Sequence, residues 1–148
     1  VTKPLDPEPI NVEIPAIRIE TCSLRFPNGE RWIFNLTKAR QLVRLDDRRE
    51  LYSCSPTELV DLLDGRALNK FDVDTADPRI PGIGAVLPYG GQRRLNLIDG
   101  VERAALAYMS GASFPIYVLS DDERDLSLWS KTGIEGIKEK IEKGELPL

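Results

Sequence analysis

Residues 94–119 constrain the fold more than any other part of the chain. "RRLNLI" reads as a strand, "GVERAALAYMS" as a helix and "SFPIYVL" as a second strand, a compact βαβ unit at 94–119. Two strands joined through one helix normally lie parallel, with a right-handed crossover. Val101, Ala104, Ala105 and Tyr108 follow the i, i+3, i+4, i+7 spacing of one helix face. That face is expected on the sheet, and its alanines are small enough to let the helix lie close.

The remaining text supplies partners for this unit. "PNGE" is a tight-turn signal, because Asn-Gly accepts the positive φ angles of a hairpin turn. "AIRIETCSLRF" before it alternates Ile17 and Ile19, then Leu24 and Phe26. "RWIFNL" after it puts Trp32, Phe34 and Leu36 on one face, so an antiparallel hairpin opens the domain. "TKARQLVRL" predicts a short helix. "SPTELVDLLDG" predicts a better-marked one, with Ser55 and Glu58 as a capping box, Pro56 in the first turn and Gly65 as the stop. "IGAVL" and "RRLNLI" flank "PYGGQ" as a second hairpin. The end is read as a helix over 132–143, with Thr132 and Glu135 as a capping box and Ile134, Ile137 and Ile141 as its buried stripe. Lys138 and Glu142 read as a solvated pair. Residues 64–92 are rich in Asp, Pro and Gly, the longest irregular stretch. Residues 1–15 hold four of the eleven prolines and read as an extended arm, with one domain over 16–148. A start at Val1 rather than Met is compatible with a trimmed chain. The fold class is α+β: a small mixed sheet with an N-terminal hairpin, the unit at 94–119 and peripheral helices.

Composition narrows the chemistry. The 148 residues carry 20 basic and 24 acidic side chains, a net charge of −4, which argues against broad DNA binding through phosphates. There is no histidine, so acid–base work falls to Asp, Glu, Lys or Tyr. Cys22 and Cys54 lack metal-ligand spacing and read as reduced, buried thiols of a cytoplasmic protein. No apolar run reaches the roughly 20 residues of a membrane span, and no signal peptide is visible. "SDDERDLSLW" gathers Asp121, Asp122 and Glu123, a solvated helix start or a divalent-cation site.

The candidate site is the junction "DGVER". One reading is structural. Asp99 caps the helix, Glu102 completes a capping box, and Arg103 pairs back to Asp99 at i, i+4. The other reading is a phosphate site. Gly100 leaves backbone N–H groups of the first turn bare, and Arg103 adds positive charge where the helix dipole is already positive. That placement favours an anion.

"LIDGVERAALAYMSGASFPIYVL", with "DPRIPGI" upstream, resembles the core of the ParB/sulfiredoxin-like superfamily over roughly residues 80–120. Those domains run strand, a D-G-x-H-R or G-E-R-R type motif opening a helix, then "FPVYVL"-like text. The resemblance implies a helix start that holds nucleotide phosphates, CTP in ParB proteins and ATP in sulfiredoxins, with Mg²⁺. Asp99, Gly100 and Arg103 match the motif. Glu102 stands where the His stands, and Val101 where sulfiredoxins keep a reactive cysteine, which argues against sulfiredoxin chemistry. The resemblance implies phosphate binding by Gly100, Val101 and Arg103, with Asp99 or Glu102 as base or metal ligand and "DPRIPGIG" as the opposite wall. Two other readings compete with it. One is a non-catalytic interaction module with a protein partner. The other is a nuclease, which the acidic, histidine-free chain disfavours.

Overall fold

The computed structural model describes residues 19–46, 48–89 and 91–145. The arm expected over 1–15, and Ile17, lie outside these residues. In chain order the elements are β1 (Thr21–Arg25), β2 (Arg31–Asn35), α1 (Leu36–Arg44), β3 (Tyr52–Cys54), α2 (Pro56–Leu63), α3 (Lys70–Asp74), β4 (Gly82–Tyr89), β5 (Gln92–Asp99), α4 (Val101–Met109), β6 (Phe114–Leu119), α5 (Asp121–Ser127), β7 (Leu128–Ser130) and α6 (Gly133–Glu142). The fold is α+β, with a three-stranded sheet ordered β1-β2-β7 and a four-stranded sheet ordered β3-β6-β4-β5.

The Asn-Gly turn closes the first hairpin. Gly29 has φ 93°, the Phe26 N–H donates to the Glu30 carbonyl at 2.9 Å, and the Asn28 side chain accepts from the Glu30 N–H. Trp32 and Phe34 are buried together with Leu24, Leu36, Ala39 and Val43.

The four-stranded sheet is apolar on both faces because its strands alternate. Ile98 joins the cluster under β2 and α1, whereas its neighbour Leu97 joins the one under α2 and α4. The sheet is therefore a middle layer, with the hairpin sheet and α1 on one side and α2 and α4 on the other. Gly82 and Gly84 make this layer thin. A Cβ on Gly82 would stand 2.8 Å from the Asp99 carbonyl and 2.8 Å from the Phe114 ring.

The strands of the 94–119 unit are not the expected parallel pair. β4 pairs antiparallel with β5, from Ile83↔Asp99 to Tyr89↔Gln92, and parallel with β6, from Gly82↔Ile116 to Ala85↔Leu119. β5 and β6 thus run antiparallel, with β4 between them. Alternation and helix length fit either arrangement. The β4–β5 hairpin decides, by giving β5 a neighbour and leaving the other edge of β4 to β6.

Four helix expectations also change. On α4 the buried face is Ala104, Ala105 and Ala107, and Tyr108 is exposed. On α6 the buried residues are Gly133 and Gly136, while Ile134 and Ile141 are more than half exposed. Gly136 lies so close over β7 that a Cβ would collide with the Ser130 and Thr132 hydroxyls. The Thr132 hydroxyl faces Ser130 and caps nothing, and Lys138 reaches Glu135 rather than Glu142. Within 64–92, Asn69 caps the short helix α3 by accepting from the Asp72 N–H. The capping box of Ser55 and Glu58 on α2 is present as expected, with Pro56 in the first turn.

Candidate functional site

The 99–103 junction is built from a strand end, a left-handed glycine and a helix without a side-chain cap. Asp99 is the last residue of β5, and Gly100, at φ 92°, is the N-cap of α4. Only glycine takes that angle cheaply. It also sits against Gly82, whose Cα lies 3.1 Å from where a Gly100 Cβ would be. Among the described residues no side chain caps the first-turn N–H groups. The expected capping box of Asp99 and Glu102 is therefore absent.

Asp99 is turned away from the helix. Both of its carboxylate oxygens accept from Arg40 on α1, Nε and Nη2 each at 3.0 Å. Arg103 Nη2 stands 3.5 Å from the same carboxylate, the i, i+4 pair expected from sequence. Arg40 also pairs with Glu20. The Asp99 hydrogen bond is the main reason the Arg40 guanidinium is held even more firmly protonated than usual. Asp99 is only 14% exposed, so this bidentate pair is screened less than a surface one. Glu20, Arg40, Asp99 and Arg103 form one chain of alternating charge that runs from α1 through the end of β5 to α4.

Arg103 uses the space that Gly100 leaves. Its Nη2 lies 2.8 Å, and its Nε 3.2 Å, from the position a Cβ would take. The guanidinium is 19% exposed and folds back over the junction rather than out into bulk water.

An open cleft of about 450 Å³ adjoins this network. Asp99, Gly100, Glu102 and Arg103 line it, joined by Arg40 and Arg44 from α1 and Asp72 and Ala76 from the α3 region. Val101 does not line it; its side chain packs against the α2–α4 cluster. The opposite wall is α3 rather than "DPRIPGIG" as a whole. From that segment Asp77 comes near: hydrogen bonds from Arg79 hold its carboxyl below the ordinary range, and Arg103 adds to the effect. Among the described residues Arg44 has no ion pair. Three guanidinium groups, from Arg40, Arg44 and Arg103, and three carboxylates, from Asp72, Asp99 and Glu102, line the cleft, and Asp72 and Glu102 stand outside the arginine network.

Sequence reasoning missed Arg40, Arg44 and Asp72. Arg40 belongs to the predicted first helix, but its carboxylate partner is 59 residues away, and no local spacing marks such a pair.

The other acid cluster is a helix start. Ser120 and Glu123 form a capping box on α5, Glu123 pairs with Arg49, and Asp121 pairs with Arg93 and Arg124. Arg49 holds the Glu123 carboxyl below its ordinary pKa. Among the described residues no three Cys, Asp or Glu side chains group as metal ligands. Cys22 and Cys54 are free thiols; burial raises both, Cys54 to about 11. No helix among the described residues is long and apolar enough to cross a membrane. No protein-family model, curated protein or solved structure matches the chain.

Proposed function

We propose that the cleft at the start of α4 binds a small phosphorylated ligand, with CTP or ATP carrying Mg²⁺ as the form the superfamily resemblance implies. The observation that carries this reading is the convergence of Arg40, Arg44 and Arg103 with an uncapped helix start on one open cleft. The first-turn N–H groups and the helix dipole favour phosphate oxygens there, and a guanidinium fork matches them in geometry. Asp99 is a positioning residue in this reading, because both of its oxygens hold Arg40 and neither is left to act as a base. Glu102 then takes the remaining acid–base role. Mg²⁺ is commonly held by one or two carboxylates together with the phosphates it accompanies, and Asp72 and Glu102 are the carboxylates available.

A second reading is a non-catalytic interaction module, favoured by the closure of Asp99, Arg40 and Arg103 on one another. Thermal unfolding with and without Mg²⁺ and CTP or ATP separates the two. Ligand at 100 times its dissociation constant should stabilise the chain by roughly 2.7 kcal/mol. Arg44→Ala and Arg103→Ala should each remove most of that gain. No stabilisation by either nucleotide, or by pyrophosphate, leaves the interaction module standing.

A further inference from the structure

Among the described residues β1 pairs with β2 alone and β5 with β4 alone, so each is an outer strand of its own sheet there. Between them lies a second cleft, of about 540 Å³, sharing no lining residue with the anion cleft. Residues 23–27 line one side and residues 94–96 the other. Successive strand residues point to opposite faces, so consecutive residues line a single cavity through the backbone edge they share. The outer edges of β1 at residues 23–25 and β5 at residues 94–96 therefore flank this groove, while Phe26, whose N–H and C=O bond within the hairpin turn, extends its wall. An open edge offers N–H and C=O groups at the spacing another strand requires.

The third wall is the end of α2 and the turn after it, with Asp61, Asp64 and Arg66. Arg66 is fixed by a 2.7 Å bond to the Leu97 carbonyl, which occupies the β5 edge at that residue and leaves the stretch at 94–96 as the part facing the groove. Arg25 and Arg94, one from each edge, are exposed and have no ion pair among the described residues. Three guanidinium groups against two carboxylates give the groove a positive surplus, in a chain whose net charge is −4. Arginine on a single edge mainly deters indiscriminate pairing. Two edges around a recess admit one extended strand and shut out the broad face of another sheet.

We propose that this groove docks an extended peptide bearing acidic side chains, which adds as a strand to one of the two edges. Main-chain bonds supply the attachment, and Arg25 and Arg94 select the carboxylates. The probe is a capped heptapeptide of alternating Glu and Val, titrated into ¹⁵N-labelled protein. Amide shifts are expected at residues 23–26, 64–67 and 94–96, and the Arg25→Ala/Arg94→Ala double variant should bind about tenfold more weakly. A copy of the peptide N-methylated at alternate residues keeps the charges but loses strand donors, and it should not bind. Equal binding of that copy, or of the Lys–Val counterpart, overturns the proposal. So do shifts centred on residues 100–103, or no shifts up to the solubility limit of the peptide. Concentration-dependent dimerisation covering the same amides overturns it as well, in favour of a second copy of the chain.

Discussion

The β6–α5 and β5–α4 junctions begin alike and end differently. Each is a strand that turns directly into a helix with acids at the turn. At β6–α5 the acid serves the helix: the Ser120 hydroxyl accepts from the Glu123 N–H, and the Glu123 carboxylate accepts from the Ser120 N–H. At β5–α4 the acid serves the tertiary structure: Asp99 holds Arg40 and Arg103, and a glycine starts the helix. The first junction has consumed its polar groups internally. The second leaves its helix start without a side-chain cap and places arginines beside it, which is why only the second is a candidate binding site.

The largest effect that tests this contrast is expected from Asp99→Ala. It leaves Arg103 without its carboxylate and Arg40 with Glu20 alone, and should cost roughly 2–3 kcal/mol in urea unfolding. A loss below about 0.5 kcal/mol, the level of an ordinary surface change, would mean the carboxylate does not organise the junction. Next comes Gly100→Ala, which forces a side chain into the left-handed region at about 1–2 kcal/mol. The new methyl group also displaces the Arg103 guanidinium, so nucleotide binding should weaken beyond the stability loss. Binding that tracks stability alone would separate Arg103 from the ligand. Ser55→Ala and Ser120→Ala should each cost about 1 kcal/mol, as lost caps do, and leave nucleotide binding unchanged. The smallest effect is in acid. Glu123 is held below its ordinary value near 4.5 by Arg49, so its contribution is fully present above that value. It is lost as pH falls through the lower folded value. The stability gap between native protein and Glu123→Gln should therefore close only below about pH 4.5; a gap that closes at higher pH contradicts this assignment.

Local signals were legible where the chain itself satisfies them. The Asn28-Gly29 turn, the Ser55–Glu58 cap and the α1, α2 and α4 segments needed only nearby residues, and all are present. What failed was orientation and competition. Strand direction in 94–119 depended on which edge of β4 each neighbour took. The isoleucines of α6 mark an apolar face, but the closest approach to β7 required the absence of a Cβ, so Gly136 set the rotation. Asp99 had two possible employers, the helix start and Arg40, and sequence spacing reveals only the nearer. The 99–103 cluster was thus visible as a cluster, whereas Arg40, Arg44 and Asp72, brought in by tertiary folding, were not.

Arg40 belongs to the helix of the hairpin layer and Asp99 to a strand of the middle layer. Their bidentate grip therefore works as a gauge of alignment between the two. A substitution that tilts α1, even far from the cleft, would misplace the fork before it unfolds anything. Defects planted under Ala39 or Val43 should consequently register as altered ligand selectivity at temperatures where the chain is still fully folded.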